Sequence, residues 1–300
     1  DRALQRAPPK VRRELSERFR LPILMAYGSM GRFARGIEQI SRAGDARWWR
    51  GPVDNDNSGS RAFLVLHLAW SGQLAQARND LDHATELIER DGRSSSWTYG
   101  LRVDLAWMTG DTQDVLRAAE RAVALAESYG SVYFKALAQR ALGQALILCG
   151  QAGNAAQVLH AALPLVAEGT GAHPFEPHHR AVLSEALAAL QQWPGACLHS
   201  REGIERARQM GVRMWELRAW IAHLALPESV LGAAEAEAGF ARARQLQVEM
   251  QAGGVAPRLL ELAAARMAAP EPRRRALQRA RAAYQAIGAY GHVQRLDRML

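Results

Sequence analysis

The chain has 300 residues, 48% hydrophobic and 23% charged, a balance that excludes disorder and low-complexity classes for its bulk. It contains no apolar run approaching the roughly eighteen residues that a bilayer span needs, and Cys149 and Cys197 can supply neither a disulfide framework nor a four-thiolate zinc site. The formal charge of +8 is carried almost wholly by arginine, Lys10 and Lys135 being the only lysines; it raises non-specific affinity for acidic surfaces but marks no site. The expectation is a soluble protein of a reducing cytoplasm. The chain opens at Asp1 with neither methionine nor an apolar signal segment, which reads as a piece cut from a longer protein.

In chain order, the charged stretch 1–20, with Pro8 and Pro9, reads as a linker or capping helix. From residue 21 to 300 apolar residues recur at three- and four-residue spacing, Ala, Leu, Arg, Gln and Glu dominate, and no alternating β-branched stretch stands out. The expected fold is therefore all-α. Helical hairpins are predicted near 21–47, 59–91, 97–129, 131–168 and 178–211, with 213–251 and 257–300 as degenerate or capping units. Three stretches dense in turn-forming residues read as loops: Trp48 to Ser60, Gly169 to Pro177 and Gln251 to Pro257.

One pattern returns through this helical background. A turn opens at Gly, an apolar residue follows two positions on, a small one five on, and a second helix continues. Its copies run Gly31, Phe33, Gly36, Ile40, Ala43; Gly72, Leu74, Ala77, Leu81, Ala84; Gly110, Thr112, Val115, Ala119, Ala122; and Gly150, Ala152, Ala155, Leu159, Ala162. A degenerate copy follows at Gln191, Trp193, Ala196, Ser200 and Gly203, so the turns lie 38–41 residues apart. Small residues opening the second helix let two backbones approach closely, and each hairpin alone leaves an apolar face that only a neighbour can cover. Five such units predict a right-handed α-solenoid of about five to seven hairpins.

The Leu142-Gly143, Gly150, Ala155, Ala162 pattern resembles the tetratricopeptide repeat, with a period of about forty residues instead of about 34. Ser200 to Leu226 and the ending Ala283 to Leu300 are similar to the tail of large bacterial class III adenylate or guanylate cyclases with an AAA-type ATPase domain. LuxR-type ATP-binding transcription regulators, whose ATPase module precedes such an array, are similar as well. The resemblance implies a carboxyl-terminal sensor or scaffold arm controlling an upstream domain. Departures are Gln191 at a turn, Pro194 interrupting the degenerate copy, and Pro270 with Pro272 breaking the hairpin before Arg273.

Catalytic motifs are missing from the sequence. Gly28, Gly31 and Gly36 lack the spacing of a phosphate-cradling loop and no lysine follows them; no acidic pair has the context a cyclase metal site needs. His173, Glu176, His178 and His179 form a tempting zinc set, but Pro177 argues against a helix holding them in register, and a solvated loop is the plainer reading. Cys149 and Cys197 read as small buried hydrophobes. Trp193, Trp215 and Trp220 read as packing residues, whereas Trp48 and Trp49 beside a loop suggest a secondary contact surface. The run Arg273 to Arg275 with Arg279 and Arg281 reads as a solvated helix face, with a nucleic-acid-binding stripe as the rival.

In helical-hairpin solenoids the first helix of each unit lines the concave surface. The positions expected there are Asp104 and Trp107 in one unit, Arg140, Gln144 and Ile147 in the next, and His178, Ala181, Glu185 and Ala188 in the third. Asp104 and Glu185 would repel phosphates, so a protein or peptide partner, including the upstream domain itself, is expected over nucleic acid, with Arg140 as anchor. The sequence-level reading is a non-catalytic interaction and regulatory module without cofactor, metal or membrane partner, binding a peptide, partner domain or small ligand.

Overall fold

The computed structural model describes residues 22–42, 55–90 and 95–300. The expected linker 1–20 and the pair Trp48 and Trp49 lie outside them. Described residues form helices and turns, without a strand among them. The first helices are α1 (22–29), α2 (Phe33–Arg42), α3 (Asn55–Ser71), α4 (Leu74–Arg90), α5 (Ser96–Thr109) and α6 (Val115–Tyr129). Next come α7 (Val132–Leu148), α8 (Ala152–Ala162), α9 (Glu176–Ala189), α10 (Trp193–Met210) and α11 (Arg213–Leu224). The last are α12 (Glu228–Leu231), α13 (Ala233–Met250), α14 (Ala256–Ala265), α15 (Pro270–Ala286) and α16 (Tyr290–Asp297). No helix among the described residues is long and apolar enough to cross a membrane.

The turns share one construction. At Gly72 the amide of Gln73 donates to Leu68 O at 2.9 Å and that of Gly72 to Ala69 O at 3.1 Å, closing the last carbonyls of α3. The same pair of bonds recurs at Gly31, Gly150 and Gln191, each in the left-handed region. Gln191 holds that region at φ 57°, so the degenerate copy keeps the turn without the glycine. Five positions past their turns Ala77, Ala155 and Ala196 are sealed at 0% exposure; past Gly110 that place is taken by Val115, 3% exposed. Gly143 on α7 completes the approach from the other side, because a Cβ there would sit 2.5 Å from the Leu159 side chain of α8.

Several prolines start helices instead of breaking them. Pro177, Pro194 and Pro257 occupy the first turns of α9, α10 and α14, and Pro270 and Pro272 that of α15. A first-turn residue has no intrahelical acceptor for its N–H, so losing the donor costs nothing there. Three sequence expectations are corrected accordingly: His178 and His179 lie on a helix, Pro194 does not interrupt its unit, and the hairpin before Arg273 is formed. Likewise Asn55 to Ser60, expected in a loop, are helical.

Helices α3, α5, α7, α9 and α11 form a row in which each touches the next, and α4, α6, α8 and α10 each fill the groove between two of them. The carboxyl-terminal part folds back across this row. The turn Gly253–Val255 packs on α3, α14 on α11 and α16 on α5. Backbone meets backbone at two points: a Cβ on Gly254 would lie 2.1 Å from Ala69 O, and one on Gly291 would lie 2.2 Å from Gly110 C. Arg266, just past α14, donates to Leu224 O at 3.2 Å and Leu226 O at 2.7 Å, tying the end of α11 to the returning segment. A single apolar core accordingly joins Leu24 and Phe33 through Trp70, Phe175 and Trp215 to Leu246, Tyr284 and Leu296. The inner face of the row is thus covered by the chain's own final helices.

Candidate site in the central chamber

The expected inner-face residues do share one side of the row, because separations of three, four and seven return a side chain to the same helix face. On α5 and α7, Arg140 donates two bonds to Asp104, at 2.5 and 3.1 Å. On α7 and α9, Gln144 donates to Glu185 at 3.5 Å. A residue that sequence reading missed ties these together. Arg218 of α11, 1% exposed at its side chain, donates to Glu185 at 2.7 and 2.6 Å and to Gln144 Oε1 at 2.9 Å, and its guanidinium lies 4.1 Å over the Trp107 ring. The available signal was an arginine inside the apolar run Met214–Leu224: a charge on a core-facing stripe needs a partner.

Asp104, Arg140 and His178 form a second group. They border a void of about 30 Å³ shared with Trp97 and Trp215, and the His178 ring stacks on Trp215 with centroids 4.1 Å apart. Burial, reinforced by the Arg140 and Arg218 charges, pushes His178 well below the ordinary imidazole pKa. Arg140 is 5% exposed and engaged by Asp104, so it is not free to anchor a partner. Trp107, Gln144, Ile147 and Glu185 line a larger space.

The opposite wall comes from the returning helices and is organised on Glu261 of α14. Its carboxylate accepts two bonds from Arg295 at 2.8 Å, one from Arg258 at 3.2 Å and one from the Tyr284 hydroxyl at 2.9 Å. Burial opposes its ionisation, but Arg258 and Arg295 outweigh it and hold the pKa down at about 2. Burial also works against the Arg258 charge, yet Tyr284, Glu261 and Glu185 keep its pKa above the ordinary value. His292 stacks on Tyr284 at 4.6 Å, and burial lowers its pKa to about 4. The neutral ring donates from Nε2 to Trp107 O at 3.0 Å, which leaves Nδ1 to accept from Arg295 at 3.3 Å.

Between the walls lies a chamber of about 640 Å³, within the range of small-molecule sites. Its charge is readily counted. Glu185 is matched by Arg218, Glu261 by one of Arg258 and Arg295, and Arg298 has no ion-pair partner among the described residues. Two positive charges remain in surplus. His292 is engaged at both ring nitrogens, and the Tyr284 hydroxyl donates its hydrogen bond to Glu261.

The other sequence candidates lie elsewhere. The His173 to His179 set does not converge as a whole: His173 Nδ1 lies 3.4 Å from Glu176 and 3.3 Å from Val166 O, Glu176 also accepts from Arg180, His178 stacks on Trp215 and His179 is bonded to Leu159 O. No group of three His, Cys, Asp or Glu side chains among the described residues is disposed to hold a metal ion. Cys197 is buried, but Cys149 is exposed, correcting its reading as a core residue; it follows the last residue of α7, at the tip of the α7–α8 hairpin. Trp215 is in the core and Trp220 is half-buried beneath Arg208. Arg273, Arg274 and Arg275 are exposed in the first two turns of α15, and Arg281 pairs with Asp297. No protein-family model matches the chain, and no curated protein sequence matches it either.

Proposed function

We propose that the chain is a tetratricopeptide-like α-solenoid serving as a non-catalytic regulatory module of a larger bacterial signalling protein, and that it reads a small molecule in the central chamber. One observation carries the choice of occupant. The inner face on which a peptide or partner helix would lie is already occupied by the turn Gly253–Val255, α14 and α16, and the space left, about 640 Å³, suits a small ligand. A peptide or the upstream domain, favoured on sequence grounds, would have to displace those helices first.

The chamber lies between two parts of one chain, the inner row and the returning helices, so a ligand touching both favours the arrangement in which they are close. That differential affinity is what a sensor needs to shift the set of an attached domain. The test is a thermal-shift screen of a metabolite library on the wild type and on Ala225→Trp, which places an indole in the chamber from an exposed lining position. Stabilisation by a compound in the wild type, lost in the variant, supports the reading. A library with no compound that separates the two proteins would count against it.

A further inference from the structure

We infer that the chamber takes a small molecule bearing a multiply charged anionic group, phosphate or clustered carboxylates, gripped by Arg298 together with Arg295 and Arg258. This rests on the small-ligand reading above and names its chemistry. The sequence argued the other way, because Asp104 and Glu185 on the inner face would repel an anion. The structure removes that objection: each carboxylate is held by two hydrogen bonds from an arginine, Arg140 and Arg218 respectively, and presents no uncompensated charge. Opposite them, Arg258 of α14 and Arg295 of α16 share a single carboxylate, Glu261, and Arg298, the residue after α16, adds a third positive charge at the same wall.

The arrangement also fixes these donors in advance. Glu261 accepts from both Arg258 and Arg295 while Tyr284 braces it, so two guanidinium planes are held before any ligand arrives. Arg258 has N–H groups left over after its single bond to Glu261, and a planar fork of this kind matches phosphate and carboxylate oxygens in pairs; Arg295, whose terminal nitrogens are taken by Glu261, His292 and Met299, adds its positive charge and its Nε–H. Arg298 is exposed, with no ion-pair partner among the described residues, and lies at the same wall; it is the donor free to close on the anion. The facing wall is of another character: Trp107 and Ile147 offer an apolar surface for the uncharged body of the molecule.

The experiment is calorimetric titration with inorganic pyrophosphate and, separately, with citrate, using the wild type, Arg298→Ala and Ala225→Trp. Arg298 sits on the surface, so its truncation leaves the melting temperature of the free protein unchanged. Saturable binding of either probe is expected, weakened roughly ten-fold or more by Arg298→Ala, the scale of a lost charge-assisted hydrogen bond, and abolished by Ala225→Trp. Pyrophosphate alone identifies a phosphate ligand, and citrate alone a carboxylate one. Binding that survives both substitutions is a surface effect and overturns the inference, as does the failure of both probes. If both probes fail while a neutral compound binds the wild type but not Ala225→Trp, only the anion chemistry falls. If no compound separates those two proteins, the small-ligand reading falls with it.

Discussion

Gln191 adopts φ 57° at a turn where the equivalent positions 31, 72, 110 and 150 are glycine. A β-carbon in the left-handed region costs roughly 1–2 kcal/mol, partly offset by the extra freedom glycine has when unfolded. Gln191→Gly should therefore stabilise the protein by about 1 kcal/mol, read as a higher denaturant midpoint at unchanged slope. A lower midpoint would mean that the glutamine side chain contributes more than its backbone strain takes away. Glu261 makes the opposite case. Its pKa of about 2 lies below the ordinary 4.5, so its contribution is complete above pH 4.5 and is lost as the pH falls toward 2. The neutral mutant Glu261→Gln strands Arg258 and Arg295 and should cost on the order of 3 kcal/mol at pH 7, while flattening acid unfolding in that window. An acid profile identical to wild type would contradict the assignment.

The hairpins depend on backbones that approach closely, which makes small residues more telling than large ones. Ala155→Leu forces a branched side chain between α8 and α7, where the site is 0% exposed, and should cost about 1–3 kcal/mol in an unfolding titration. A change under a few tenths would show that the two helices have room to spare. Much of this was legible in the sequence. The three-and-four periodicity gave the helical class, and its phase placed Asp104, Arg140, Gln144 and Glu185 on one side of the row. Proline misled because its meaning depends on where a helix begins: Pro177, Pro194 and Pro270 look like interruptions until the first turn is located, and become ordinary openings once it is.

What the chain order concealed was the return of the final helices. His292 bonds to Trp107 O across 185 residues, and Gly291 reaches Gly110 through backbone contact alone, for which no side-chain pattern exists to be read. The far wall of the candidate site was invisible for the same reason. This docking has its own acid signature. The pKa of His292 is lowered from 6.5 to about 4, so the unfolded or undocked ring binds the proton more readily, and stability is lost as pH falls through that interval, above the Glu261 window. Amide exchange in α16 should accelerate between pH 6.5 and 4 once corrected for intrinsic rate, and unaltered exchange would speak against a buried neutral ring. Gly291→Ala should undock α16, since neither Gly110 nor its own backbone is a flexible end that can yield.

Small-angle X-ray scattering tests that closure most directly. With the returning helices α14 and α16 seated against α11 and α5, the radius of gyration should lie near the compact value of about 19 Å for 300 residues. Gly291→Ala should raise it. A wild-type radius well above that figure, with the long tail of an extended rod in the pair-distance distribution and no response to Gly291→Ala, would contradict the account.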